Sequence, residues 1–257
     1  MKHVFLLGLG LMASGSVLAA DLVSLPDVTT SGSAALASDY LFRGVSQTSN
    51  NAAAQAGMTF AHKSGVYFSL WGSSIASGFG GLELDTLLGY SAPLTLGSLK
   101  STVDVGVMRY NYPGWNKDNN GGGSPDYNEL YGSLKVEGVG LEGDALKGGF
   151  AYSNDYFNSA DQFWYVYSDY SAPLGSLPLG LVAHVGYNKF NSDADMSKAL
   201  GTALAAGDNY VDYKLGTTFG VLGTTAELAW IGSNISKDDC GGKLCEGRAV
   251  LTVTKSF

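Results

Sequence analysis

Thirteen ionisable side chains recur through the chain at positions that chemistry could use. They are Asp39, Arg43, Glu83, Asp85, Lys100, Asp104, Glu129, Lys135, His184, Asp212, Lys214, Glu227 and Arg248. Apart from His184 they comprise seven acids and five bases. Many sit two or four residues apart, as Glu83 and Asp85, Lys100 and Asp104, or Asp212 and Lys214. In an extended chain that spacing places them on one face. Such a face can line a passage with fixed charges of both signs, or lock into a salt-bridge lattice that blocks it. It is poorly suited to covalent catalysis. A general base would need a nucleophile within reach, and no Ser-His-Asp set can be drawn around His62 or His184. His62 falls at a short turn, and His184 sits mid-strand among small residues. The spacing therefore predicts a pore-lining set, a slight preference for cations and no catalytic residues.

The elements that must carry these side chains are strands. From about Ser33 onward, stretches of roughly ten residues alternate apolar with polar, and ten residues cross a hydrocarbon layer as a tilted strand. In "GLELDTLLGY", Leu82, Leu84, Leu88 and Tyr90 oppose Glu83 and Asp85. In "LKSTVDVGVM", Leu99, Val103, Val105 and Val107 oppose Lys100 and Asp104. The first such stretch is "ALASDYLFRG", with Leu36, Tyr40 and Phe42 opposite Asp39 and Arg43. The last is "GRAVLTVTKSF", which ends on Phe257. Twelve stretches fit, although the faces around Tyr67 and Trp164 stay open because aromatics fall on both parities.

Connections after even stretches are compact, such as "HKSG" and "GVLG". Those after odd stretches are long and polar, such as "NYPGWNKDNNGGGSPD". Short turns at one rim and long loops at the other are the mark of an outer-membrane up-and-down β-barrel. A soluble β-sandwich uses strands of about 5–6 residues and has no reason to alternate its loop lengths. The apolar parity is then predicted to face lipid and the charged parity the lumen. Phe257 is predicted to end the closing strand, pairing with the first strand around Ala35 to Phe42. A terminal Phe on an alternating strand resembles the signal that the barrel assembly machinery reads. The loop Tyr112 to Asp126 is the candidate constriction, with a plain surface loop as the alternative. The repeated "YSAPL" at Tyr90 and Tyr170 is expected as a turn, and "MSKALGTALAAG" (Met196 to Gly207) as a short helix.

Residues 1–19 read as a secretory signal peptide, with Lys2 and His3 basic, Val4 to Met12 apolar and small residues before a cut after Ala19. The barrel domain then covers 20–257. Without Lys2 the 15 basic residues become 14 against 23 acidic ones, a net charge of about −9. Such an acidic exported chain is unsuited to nucleic acid. Cys240 and Cys245 are the two cysteines, and in an oxidising compartment they are predicted to form a disulfide. No further thiol or histidine stands near them, so no metal is expected, and no cofactor motif is present.

The stretch "SDYLFRGVSQT" (Ser38 to Thr48) resembles the TorF-type porin family of proteobacteria, as do "HKSGVYFSLWGSSI" and "NYPG" followed by "DYNELYGSL". The likeness runs through nearly the whole mature chain. It implies an outer-membrane channel for passive diffusion of small solutes or ions, with lipid, the assembly machinery and a small solute as partners. A plugged structural or adhesive barrel without flux is the alternative, and a barrel hydrolase a more distant one.

Overall fold

The computed structural model describes residues 26–116, 124–175, 177–202, 207–240 and 242–257. The predicted signal peptide lies outside the described residues. Among the described residues fourteen strands follow in order: β1 (Val28–Ala37), β2 (Leu41–Phe42), β3 (Val45–Ser46), β4 (Ala53–His62), β5 (Val66–Ser74), β6 (Leu82–Leu96), β7 (Leu99–Asn111), β8 (Tyr127–Glu137), β9 (Ala145–Ser153), β10 (Phe163–Pro173), β11 (Leu179–Phe190), β12 (Asn209–Val221), β13 (Thr224–Ser233) and β14 (Arg248–Ser256). β2 and β3 form a small hairpin of their own. The other twelve form one closed antiparallel barrel in which β1 lies between β4 and β14.

The seam is made in register Ser33↔Ser256 through Ala37↔Thr252. It is locked beyond β14 by reciprocal backbone bonds between Gly32 and Phe257, at 2.9 and 3.0 Å. The Phe257 ring lies against Gly32, where an added Cβ would come within 2.7 Å of it. A side chain there would push the closing residue off the seam. The pairing partner of β14 is thus Ser33–Ala37, further back along the chain than the Ala35 to Phe42 expected from the alternation.

Side chains alternate across the wall as the period of two demands. Leu36, Leu88, Leu130, Leu215 and Trp230 stand exposed on the outside, whereas Glu83, Asp85, Asp104, Glu129 and Asp212 are buried inside. The two open strands are settled by burial. In β5, Tyr67 points in while Val66, Phe68 and Leu70 point out; in β10, Phe163 and Tyr165 point in while Trp164 and Val166 point out.

Three elements differ from expectation. First, only Ala35 to Ala37 of "ALASDYLFRG" belong to the wall. The wall ends at Ala37, and the chain from Ser38 to Thr48 turns into the barrel. Asp39 makes this possible, since its Oδ1 accepts from the hydroxyls of Ser46 (2.7 Å) and Thr48 (2.6 Å) across the β2–β3 hairpin. A strand residue has no such partners within its own chain segment. Second, both "YSAPL" copies begin inside strands. β6 runs to Leu96, and its turn is only Gly97 and Ser98. Pro93 pairs with Thr102 inside the ladder. Third, the helix α1 (Asp193–Leu200) starts earlier, because Ser192 caps it by accepting from the Asp195 amide, and it stops at a left-handed Gly201.

Among the short turns, the one between β8 and β9 is held by Asp144. Its carboxylate accepts the amides of Val139, Gly140 and Leu141 at 2.7, 3.0 and 2.8 Å, and the Tyr170 hydroxyl at 3.0 Å. Burial works against the charge, but these four donors outweigh it and hold the carboxyl below the usual carboxylate range. A depressed folded pKa means stability that is present above the unfolded value near ~3.9 and lost as pH falls through the folded one. Asp144→Asn should therefore speed amide exchange at Val139–Leu141 strongly at neutral pH. The gap to wild type should close only as pH falls below the usual carboxylate range and through the folded pKa. A pH-independent gap would rule out the carboxylate as the holder.

Candidate functional site

The interior is divided in two by the inward segment. Its tip is a left-handed pair, Arg43 (φ 49°) and Gly44 (φ 77°). Gly44 is pressed to the wall: a Cβ there would lie 2.7 Å from the Gly232 carbonyl oxygen and 3.0 Å from the Asp212 Cβ. From this tip Arg43 reaches across to β8. Its two terminal nitrogens donate to Glu129 Oε1 and Oε2 at 2.7 and 2.9 Å, a bidentate pair with side chains 7% and 3% exposed. In the ring of strands β8 is the neighbour of β9, which stands opposite β1, from which the segment departs. The pair is a strut across the lumen.

A second tie secures the segment's root. Arg248 on β14 donates to Asp39 Oδ2 at 2.8 Å and also contacts Asn50 and the Lys243 carbonyl. That carbonyl belongs to the loop closed by the Cys240–Cys245 disulfide.

On the long-loop side of the strut the barrel is filled by rings. Tyr110 stacks on Tyr127 (4.4 Å between centroids) and Tyr156 on Phe163 (4.0 Å), with Phe190, Tyr112 and Phe157 packed edge-on around them. Tyr40 and Met196 of α1 join the same buried cluster. Rings packed this way add to area burial, by about 0.5–1.5 kcal/mol per pair.

On the other side lies a cavity of about 420 Å³, which reaches Ser31, Thr59 and Thr225 at the short-turn end. One wall of it is ionic. His184 lies between Asp169 (Nδ1 to Oδ1, 2.6 Å) and Asp212 (Nε2 to Oδ1, 3.0 Å), with the Tyr165 hydroxyl 2.8 Å from Nε2. Asn188 donates to the other Asp212 oxygen at 2.7 Å, and Lys214 pairs with Glu227 at 3.1 Å. Across the cavity, Tyr67 donates to Asp104 (2.7 Å) and meets the Tyr131 hydroxyl at 2.6 Å.

The structure thus brings Asp39, Arg43, Glu129, Asp212, Lys214, Glu227, His184 and Arg248 into one interior. Asp39 and Arg43 arrive on the inward segment rather than on the wall. Glu83 and Asp85 lie higher, against the ring cluster, where Glu83 accepts from Tyr112 at 3.2 Å. Lys100 and Lys135 sit low on β7 and β8, Lys135 pairing with Glu137 at 2.9 Å. Of the expected constriction, residues 117–123 lie outside the described residues; near its start, Tyr112 and Trp115 tuck into the ring cluster. Sequence reasoning missed Asp169, Tyr165 and Tyr156. Asp169 is hidden in "QFWYVYSDY", where aromatics on both parities erase the face. Tyr156 lies in a loop, where no period exists to point it inward.

A family model described as "Bacterial protein of unknown function (Gcw_chp)" matches residues 24–257. No curated protein matches the chain. Among solved structures it is similar to a doubly substituted OccD1 (OprD), at 12% identity over 91% of this chain and 66% of that one, TM-score 0.48. OprB from Pseudomonas putida matches at 13% identity, 83% and 61% coverage and TM-score 0.42. LpxR from Salmonella typhimurium matches at 10%, 88% and 99%, TM-score 0.49. The chain spans 66% and 61% of the first two proteins' lengths and nearly all of the third. The closed barrel itself rests on this chain's own strand pairing.

Removing one partner of a buried ion pair strands the other. Glu129→Ala should destabilise the folded barrel by about 3–5 kcal/mol, read from urea unfolding, and Glu129→Ala combined with Arg43→Met by clearly less. Additive losses in that double-mutant cycle would show that the strut carries no coupling.

Proposed function

The chain belongs to the Gcw_chp family of bacterial proteins of unknown function, and from that starting point we propose that it is an outer-membrane barrel of porin type whose passage its own residues 38–48 hold closed. The observation that carries this reading is a cavity roofed by a chain segment that is hung on two ion pairs, Arg43–Glu129 and Asp39–Arg248, and not built into the wall. A roof of that kind can be displaced without opening the barrel.

The membrane part of the reading is supported by the outer surface. Exposed Leu, Val, Phe and Trp side chains run around the whole barrel, on nearly every wall strand. A soluble monomer exposes apolar patches of only a few hundred Å². Hydrocarbon covers such a band, and a closed sheet is what hydrocarbon demands of strands. The likeness of Ser38–Thr48 to TorF-type porins supports a channel. The excess of interior acids over bases supports a preference for small cations. A hydrolytic role is disfavoured by the surroundings of His184, whose two ring nitrogens meet Asp169, Asp212 and Tyr165; among the described residues its hydrogen-bond partners include no Ser, Thr or Cys.

A sealed barrel without flux is the second reading, favoured by the dense ring cluster on the long-loop side. Planar-bilayer recording separates the two. The wild type should be mostly closed, and Asp39→Asn with Glu129→Gln, which loosens both ties, should give steady single-channel steps. A folded, inserted double variant that stays silent would leave the sealed barrel. Lipid contact has its own check. Leu215→Arg, mid-way along β12 and facing outward, should cost on the order of 2–4 kcal/mol in refolding into vesicles. A change within a few tenths of a kcal/mol there would sink the lipid-facing assignment.

A further inference from the structure

Arg43 is held by more than its carboxylate. Its guanidinium carbon lies 4.3 Å from the ring centre of Tyr165, 4.9 Å from Phe163 and 4.7 Å from Phe42. Tyr156 adds its hydroxyl at 3.2 Å and its ring at 5.8 Å. Except for Phe42, every group in this cage comes from the wall or from the loop between β9 and β10. The barrel builds the cage and the inward segment supplies its occupant. A tie alone would need only a charge opposite Glu129. Aromatic rings around a cation held by both oxygens of one carboxylate select a planar, weakly hydrated group that donates two parallel bonds. An ammonium matches neither feature. Glu129 and Tyr165 also face the cavity, so a ligand rising from the short-turn end meets them without crossing the ring cluster.

We propose that the cage of Glu129, Tyr156, Phe163 and Tyr165 is a binding site for a guanidinium group, occupied here by Arg43, and that the solutes the barrel takes carry a guanidinium. Such a solute competes with Arg43 for Glu129 and removes the strut as it binds. Binding and opening then become one equilibrium, because the ligand has affinity only for the state in which Arg43 has left. The inference rests on the channel reading in one respect, that a solute reaches the cage through the cavity; the cage's chemistry stands apart from it.

Calorimetric titration of the refolded barrel in detergent micelles tests the site, with n-propylguanidinium and n-propylammonium as probes. Arg43→Ala leaves the cage vacant. It should bind propylguanidinium at least about 10-fold more tightly than propylammonium, and at least about 10-fold more tightly than the wild type does. Glu129→Gln in that background should abolish the difference. Equal binding of the two cations, or none, by a folded Arg43→Ala barrel would overturn the proposal. If Arg43→Ala fails to fold, Arg43→Lys keeps the ion pair, and the same preference should appear with weaker absolute binding; its absence there counts equally against the site. A silent bilayer with this preference intact would remove the channel and leave the cage. Conductance steps without the preference would remove the cage and leave the channel.

Discussion

Every backbone N–H and C=O along a strand needs a partner, and in a ring of strands each has one. That constraint organises the molecule. β14 must find β1, so the chain's last residue, Phe257, is tied to Gly32 by a reciprocal pair of bonds. Closure leaves no edge for another chain to extend. It also separates two faces of opposite chemistry, since a period of two cannot put a Leu and its neighbouring Glu on the same side.

Closure creates a second problem. A ring of twelve strands is wider than one whose side chains simply fill it. This chain fills the long-loop half with tyrosine and phenylalanine and spans the middle with Arg43. The buried charges of the strut and its root are admissible because they are satisfied. Glu129 receives both arms of the guanidinium, and Asp39 receives Ser46, Thr48 and Arg248. The lower half is left as a cavity whose ionic wall, from Asp169 to Glu227, is cross-linked strand to strand. Stability and occlusion therefore come from the same contacts.

The disulfide loop belongs to that system. Cys240 and Cys245 close the segment whose Lys243 carbonyl meets Arg248, and Arg248 holds Asp39. Ordering a surface loop thus reaches the root of the inward segment through one side chain.

Alternation by itself determined a great deal: eleven of the twelve wall strands, their outward leucines and valines, short turns at one rim and long loops at the other. It could do so because a strand's facing depends only on parity, a local property. Tertiary structure decided what parity cannot express. "ALASDYLFRG" alternates as well as any strand, yet Ser38 to Arg43 leave the wall, because Asp39 finds hydroxyl partners and Arg43 finds Glu129 eighty-six residues away. "QFWYVYSDY" carries rings on both parities, so only its neighbours on β9 and β11 set Tyr165 and Asp169 inward. The candidate site is made of such residues. It joins side chains from distant segments across a lumen that exists only once the sheet has closed, and no spacing along the chain encodes a distance across that ring.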